Sequence, residues 1–543
     1  MMNLSSIKQN WKYLLLLLTI FLLTEIIIDP IGHFSLNDDW LYAKTVKLFH
    51  EQGILNTNEW GRTSLFTHVL YGDLFISVFG NSLTALRFST LFLSFAGIIF
   101  IFLFFRNFVS KDSFHAFLLS LLVLFNPLYL NLSNSFMTDV PFIVTIILGI
   151  YFYFAHQKAS ASIYLALSIL FFSWSILIRQ LGICFIIGIL LTDIILNRKI
   201  HVKILLFTFI PLLSLFIFEY WYRNKTFSLQ ENSYSFLFFK NSYKADLISF
   251  SDVLINFLKR WVHYVSFTGF VLFPLLLTYL ASFVREKKYL VQKKQIILST
   301  ALMLPVIWSL RNFPIGNYLY NCGVGPETTY DVFFLKQNNE HVESTILFFI
   351  IKILSSLGSF SLLLILSDHL LNIRSLKNSS AVILVLFICL FIYYSALARS
   401  EAMFDRYIMI FSLLIIPAIV YRSQTIFAKP FFFYCFLSCL ILFSTFTTKD
   451  YLNSNRTRWA AIDLLKKQNI SDRDINAGYE HAAAFSSDTL YWFNKWKNDY
   501  QSKYMISFGS LPHYEKLSFL TYKRYIPLKT DTIFILKLSP PIP

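Results

Sequence analysis

Charged side chains are scarce in this sequence. Of its 543 residues only 14% are Asp, Glu, Lys or Arg, while 56% are hydrophobic; an ordinary soluble domain carries about 25% charged residues. This composition excludes a cytosolic globular enzyme. Cysteine is also rare, and four of the five cysteines lie inside apolar runs, so no external disulfide framework is expected. The sequence has no P-loop motif, internal repeat or low-complexity tract.

The few charges are distributed unevenly along the chain. Residues 449–543 carry 14 basic and 9 acidic side chains, about 24% of that segment, which is an ordinary soluble value. We therefore predict a membrane domain over residues 1–448 and a separate α/β domain over 449–543. The formal net charge of +16 does not indicate a nucleic-acid partner, because the basic residues are scattered between apolar runs.

Long apolar runs in the first part of the chain predict membrane-spanning helices. A helix that crosses the hydrocarbon core needs around 20 mostly apolar residues. By this measure the fold class is mainly α, with about thirteen spans. Their approximate limits are 13–31, 84–105, 113–131, 138–155, 161–178, 181–197, 203–221, 262–284, 296–313, 345–367, 381–398, 407–421 and 430–447.

The basic residues between the runs predict the topology. Alternate loops carry Lys and Arg residues, among them Arg106 with Lys111, Arg198 with Lys199, and the run from Arg285 to Lys294. The positive-inside rule marks these loops as cytoplasmic. An odd number of spans then places the N-terminus inside and the C-terminal domain outside, together with longer loops at about 32–83, 222–261 and 314–344. The 222–261 loop is itself basic and opposes this assignment, but six other loops agree. We expect a cytoplasmic (inner) membrane protein of bacterial type, in contact with membrane lipids.

The first outer loop opens with two adjacent acids, Asp38 and Asp39. An ionised carboxylate at a membrane boundary is energetically unfavourable unless it faces water or a polar cavity. Two neighbouring carboxylates can bind a cation, or one can accept a proton while hydrogen bonds hold the other. The alternative is a helix cap for the amphipathic segment that begins at Trp40.

Four more charged residues are candidates for the same outer cavity. Arg62 carries a planar donor fork suited to phosphate oxygens, although alone it is an ordinary exposed arginine. Glu59 precedes it in the same loop. Asp139 lies two residues before Pro141, where an N-cap or first-turn role in a helix is the alternative. Arg179 lies between two apolar runs, where a cation needs an anion from the protein or from a ligand.

Together these motifs resemble the GT-C membrane glycosyltransferases, in particular the dolichyl-phosphate-mannose-protein mannosyltransferase-like group that includes the lipid A aminoarabinose transferases. The resemblance extends over essentially the whole chain, because many spans followed by an external C-terminal domain is that group's architecture. It is carried by Asn37-Asp38-Asp39-Trp40, by Arg62 ahead of Phe79-Gly80, by Met137-Thr138-Asp139-Val140-Pro141, by Arg179-Gln180 and by Asp405-Arg406-Tyr407.

The resemblance implies an inverting transfer of a hexosyl or pentosyl group from a polyprenyl-phosphate donor to a hydroxyl of a lipid, glycan or protein. One acid of Asp38-Asp39 would be the general base. Arg62 and Arg179 would meet the donor phosphate, although relatives carry a lysine followed by prolines where this chain has Arg62-Thr63-Ser64. Asp139 and Glu59 would be the second acid or acceptor-binding groups.

Other classes of function remain open at this point. No cofactor is certain, but carboxylates at Asp38, Asp39, Asp139 and Glu59 could hold a divalent metal. A membrane transporter or lipid flippase is the alternative function, although such proteins tend to place ionisable groups at mid-membrane. A receptor or scaffold would explain the C-terminal domain but not the acidic pair. In that domain Glu480 and His481 could assist acceptor binding, and a turn leading into a helix is the alternative.

Overall fold

The computed structural model of the chain describes residues 4–55, 64–110, 112–198, 201–224, 250–310, 313, 345–372, 381–397, 404–422, 427, 430–478, 480–481, 502–511 and 513–539. Within these residues the chain is mainly helical, with one small sheet near the C-terminal end. The predicted 314–344 loop, most of the 222–261 loop, and both Glu59 and Arg62 lie outside the described residues.

The first ten helices belong to the N-terminal half. A π-helical turn at Phe105–Val109 follows the fourth helix, and a 3-10 turn at Gln180–Gly182 precedes the ninth. The helices are α1 (Leu4–Ile28), α2 (Asp39–Gln52), α3 (Phe66–Phe79), α4 (Leu83–Phe104), α5 (Ser113–Leu124), α6 (Pro127–Ser133), α7 (Asp139–Ala159), α8 (Ser162–Ile178), α9 (Ile183–Asn197) and α10 (Val202–Asn224).

The second half contributes eight more described helices and four strands. The helices are α11 (Phe250–Val271), α12 (Phe273–Arg285), α13 (Lys293–Ser309), α14 (Thr345–Leu371), α15 (Ala381–Leu397), α16 (Ile408–Leu414), α17 (Ile416–Arg422) and α18 (Phe431–Lys467), and the strands are β1 (Ile475–Asn476), β2 (Tyr504–Ser507), β3 (Tyr514–Tyr525) and β4 (Leu528–Leu538). Short 3-10 turns lie at Lys288–Leu290, Asp405–Tyr407 and Asp472–Asp474.

Seven of the described helices are long and apolar enough to cross a membrane, or up to nine spans if each of two bent helix pairs counts as one. The protein is therefore an integral membrane protein. The predicted count of thirteen spans is not confirmed, because several apolar runs fold into shorter helices. Ser162–Ile178 and Ala381–Leu397 have 17 residues each, and the run at 407–421 is divided between α16 and α17.

The two bent pairs break at proline. Pro127 begins α6 and Pro274 is the second residue of α12, and both prolines fit the first turn, where no intrahelical N–H bond is lost. The bends are 67° between α5 and α6 and 86° between α11 and α12. An apolar run therefore continues through a sharp change of direction that hydropathy alone does not reveal.

The helices pack around α7, whose most apolar stretch is 94% buried compared with 22% for α10.

Gly269 of α11 faces Gly358 of α14, and a Cβ on either glycine would collide with the backbone of the facing helix. Small residues allow this close approach of helices in a membrane. The charged ends of α2 and α7 are thus fixed by a tightly packed bundle.

The C-terminal segment is continuous with the last described span. Helix α18 runs for 37 residues, so it passes through the predicted domain boundary at 448 and 449. The sheet that follows has the order β1-β2-β4-β3, with β1 and β2 parallel and the other pairs antiparallel. The predicted strands near 504–508 and 531–537 correspond to β2 and β4.

The β3-β4 hairpin is attached to α18 by one carboxylate. Both oxygens of Asp450 accept the N–H of Tyr525, at 2.9 and 3.0 Å, and Oδ2 accepts the N–H of Ile526 at 2.9 Å. The Phe446 and Tyr525 rings stack at 5.2 Å between centroids. The helix therefore holds the hairpin through its own side chains.

Candidate functional site

The acidic loop after α1 presents Asp38 at the N-cap position of α2, yet its side chain makes no capping hydrogen bond. Instead Oδ2 of Asp38 accepts hydrogen bonds from Nη1 and Nη2 of Arg406, each at 3.4 Å. The side chain is 15% exposed. The cap predicted as the alternative is therefore not what the Asp38 carboxylate provides.

Asp39 has a different environment from its neighbour. It is 1% exposed, and its Oδ1 accepts the N–H of Leu36 at 2.7 Å. Burial raises the pKa of the Asp39 carboxyl to about 7, although the positive charge of Arg87 opposes the shift. Asp39 thus stabilises the turn that carries Asp38.

Arg87, near the start of the apolar helix α4, fixes the approach to this turn. Its Nη1 donates to the carbonyl of Pro30 at 2.6 Å and its Nη2 to the carbonyl of Phe34 at 2.8 Å. The guanidinium also lies 4.5 Å from the centre of the Phe34 ring. A fully buried arginine therefore holds the chain between α1 and the acidic pair.

A second ion pair lies at the start of α7. Arg179 Nη1 is 2.8 Å from Asp139 Oδ1, and both side chains are at most 7% exposed. The Nε of Arg179 also donates to the hydroxyl of Thr138 at 2.8 Å. The anion that a cation at Arg179 requires is thus supplied by the protein, and Asp139 lies in the first turn of a helix, as its alternative interpretation predicted.

Tyr407 connects the two ion pairs. The guanidinium of Arg179 lies 5.9 Å from the centre of its ring and that of Arg406 lies 5.6 Å from it, which is within the range of cation–π attraction. The structure therefore brings Asp38, Asp139 and Arg179 together with Arg406, whose Arg-Tyr motif the sequence had suggested only by resemblance.

Tyr42 of α2 lies among the same four charged groups. Burial raises the pKa of its phenol, and Asp38, Arg406, Arg179 and Asp139 all act on it electrostatically. The buried His68 packs edge-on against the Tyr42 ring at 5.8 Å and stacks on Phe136 at 4.2 Å. The site is thus a largely buried cluster of paired charges in contact with aromatic rings.

Several of these residues were missed from the sequence. Tyr42 and His68 lie in segments of ordinary aromatic character and carry no signal of their own. Arg87 did carry one, because a lone arginine inside an apolar run requires buried partners. The carboxylates near the site contact arginines, and no three His, Cys, Asp or Glu residues of the described segments lie close enough to hold a metal ion.

Comparison with known proteins gives one family match. The family model described as dolichyl-phosphate-mannose-protein mannosyltransferase matches residues 70–222, a segment that contains both Asp139 and Arg179. No curated protein matches the sequence significantly.

Two crystal structures of ArnT from Cupriavidus metallidurans are similar to this chain. The one bound to undecaprenyl phosphate is 11% identical with a TM-score of 0.41, covering 99% of this chain and 100% of that chain. The apo structure is 12% identical with a TM-score of 0.41, covering 98% of this chain and 99% of that chain. The family match over residues 70–222 confirms the resemblance of this chain to the GT-C membrane glycosyltransferases.

Proposed function

We propose that this protein is an inverting glycosyltransferase that moves a hexosyl or pentosyl group from a polyprenyl-phosphate donor to a hydroxyl of a lipid, glycan or protein. The observation that carries the proposal is the contact of a carboxylate, Asp38, with Arg406, whose guanidinium lies near the Tyr407 ring together with that of Arg179. The family match supports the same class of donor.

The arginines suit the donor phosphate. Guanidinium forks bind phosphate oxygens in a bidentate manner, and a phosphate leaving group needs cations to stabilise its growing charge. Arg406 and Arg179 are the proposed partners in the described site. Arg62, which lies outside the described residues, remains a proposed third cation.

Asp38 is the proposed general base. The Asp39 carboxylate accepts a hydrogen bond from the Leu36 amide and is only 1% exposed to solvent. The Asp38 side chain is 15% exposed. Asp38 would take the proton of the acceptor hydroxyl while that oxygen attacks the anomeric carbon. The bond from this carbon to the phosphate oxygen breaks, the electron pair leaves with the phosphate, and the configuration at carbon inverts.

Asp139 has a supporting role in this scheme, because its carboxylate is paired with Arg179 and orients that guanidinium toward the pocket. Glu59 remains a proposed acceptor-binding group in the same loop. The sidedness is part of the proposal too: the acidic loop and the C-terminal segment face outward from a cytoplasmic membrane, and the N-terminus lies inside. The donor's tail would stay in the bilayer while its head enters the pocket.

The proposal is tested by incubating membranes that contain the protein with polyprenyl-phosphate sugars and following the lipids by mass spectrometry. Wild-type protein should convert the donor to free polyprenyl phosphate, whereas Asp38→Asn should lose about 10²–10⁴ in rate, the contribution of a well-placed base. Asp39→Asn is the matched control, because its amide oxygen can still accept the Leu36 N–H, and it should retain most of the activity. Full activity of Asp38→Asn would contradict the mechanism.

A further inference from the structure

A carboxylate from the C-terminal segment reaches the acidic loop. Oε1 of Glu480 accepts the N–H of Asn37 at 3.2 Å, across 443 residues of sequence. Glu480 is 8% exposed. The hydrogen bond therefore joins the segment beyond α18 to the residue immediately before Asp38.

Glu480 is itself held in place from α18. Its Oε2 lies 3.0 Å from Nη1 of Arg458, and Nη2 of that arginine donates to Asn455 Oδ1 at 2.7 Å. Both members of the ion pair are buried. A buried, charge-assisted pair has little freedom to rearrange, so the position of Oε1 is set by the helix.

The same helix also holds the beginning of the loop. Arg456 Nη2 donates to the carbonyls of Asp29 and Ile31, at 2.7 and 3.0 Å, and lies 3.2 Å from the Asp29 carboxylate. One turn of α18 thus contacts the beginning of the loop through Arg456. The same turn reaches the residue before Asp38 through Arg458 and Glu480.

Asn37 is the residue whose conformation sets the direction of Asp38. Its φ is +55°, in the left-handed region that non-glycine residues seldom adopt. Such a conformation persists only where surrounding contacts determine it. Here the Leu36 amide is held by Asp39 and the Asn37 amide by Glu480, so two carboxylates fix the peptide units that precede Asp38.

We propose that Glu480 is a positioning residue for the transfer reaction: by holding the Asn37 amide it keeps the Asp38 carboxylate aimed into the pocket beside Arg406. The inference rests on the proposed function. It assigns a role to the C-terminal segment, because the site is complete only when that segment is seated on the first outer loop.

The test compares Glu480→Ala with Glu480→Gln in the full-length protein. The alanine variant loses the acceptor for Asn37 and should lower kcat about tenfold with the KM for the donor within twofold of wild type. The glutamine variant keeps one oxygen that can accept the Asn37 N–H, but its NH2 group replaces the oxygen that pairs with Arg458. It should therefore recover part of kcat. Asp474→Asn is the control, because it removes an ion pair with Lys503 in the same segment and should leave kcat unchanged.

Hydrogen–deuterium exchange provides a readout that does not depend on activity. Exchange of the peptide covering residues 33–42 should rise in Glu480→Ala, rise less in Glu480→Gln, and stay at the wild-type level in Asp474→Asn. Wild-type kcat or unchanged exchange in Glu480→Ala would overturn the inference, and so would equal losses of kcat in the alanine and glutamine variants. Increased exchange in Glu480→Ala, combined with a wild-type protein that transfers no sugar, would overturn the proposed function and leave the contact established.

Discussion

Removal of Arg179 separates a structural role of this residue from a functional one. The Asp139 carboxylate is 2% exposed, and its Oδ1 lies 2.8 Å from Nη1 of Arg179. In Arg179→Met this buried carboxylate loses its ion-pair partner. Breaking a buried ion pair by removing one partner costs about 3–5 kcal/mol of stability. Replacing both members by neutral groups is often close to neutral, so the double variant Arg179→Met/Asp139→Asn should regain most of the lost stability.

Activity should not follow stability in this series. If Arg179 stabilises the departing phosphate, the double variant lacks that cation even when it folds well. Its kcat should then be about 10²–10³ lower than that of the wild type, the usual effect of removing one preorganised donor from a transition state. The assay is thermal unfolding in detergent together with release of polyprenyl phosphate. The pair of Arg422 and Asp368, 3.1 Å apart, is the control because it joins α14 to α17 on the predicted cytoplasmic side.

Two results would refute this reasoning. A double variant that is both stable and fully active would show that Arg179 serves only to neutralise Asp139. An Arg179→Met variant as stable as wild type would show that the pair contributes no net stability in the folded protein. The control variant Arg422→Met/Asp368→Asn should leave the transfer rate unchanged.

Three further predictions concern single residues of the site. Burial raises the pKa of Asp39 to about 7, so the folded protein holds a proton there that the unfolded chain releases near pH 4. Relative to Asp39→Asn, the wild-type protein should therefore lose about 1.4 kcal/mol of unfolding free energy per pH unit between about pH 4 and pH 7, and no more above pH 7. Unfolding measured at each pH tests this, and a difference between the two proteins that does not change with pH would contradict it. Tyr407→Phe should keep most of the activity and Tyr407→Leu should lose about threefold to thirtyfold in kcat, because two cations share the ring; equal losses in the two variants would point to the hydroxyl instead. Arg87→Met should lower the unfolding free energy by about 2–4 kcal/mol because two buried carbonyls lose their donors, and an unchanged melting temperature would contradict it.

Much of the helical architecture was predictable because apolar runs of membrane length leave the backbone little alternative to helix. The count of spans was less predictable. The run 113–131 is mostly apolar, yet Asn126 caps a new helix at Pro127 and the direction changes by 67°. Hydropathy measures the cost of burying or exposing side chains and carries no information about the direction of the helix axis.

The candidate site was predictable as a set of charges and not as a set of contacts. Asp38, Asp139 and Arg179 were identified because charges at a membrane boundary are costly without a partner or a function, and the structure brings them into one cluster around Tyr407. Which charge pairs with which depends on residues far apart in sequence: Arg406 meets Asp38 across 368 positions and Arg179 meets Asp139 across 40. No local pattern specifies such pairs.

The ion pair between Asp38 and Arg406 has a consequence for the order in which the donor binds and the base acts in the proposed reaction. The Asp38 carboxylate and a donor phosphate compete for the same guanidinium of Arg406, and the existing contacts are long, at 3.4 Å, whereas charge-assisted bonds of this kind are typically 2.7–2.9 Å. A phosphate that takes the two Nη donors therefore competes with the Asp38 carboxylate for Arg406. In the proposed mechanism Glu480 and Asp39 still fix the backbone before Asp38 during this exchange, so donor binding is linked to loss of the contact between the base and Arg406.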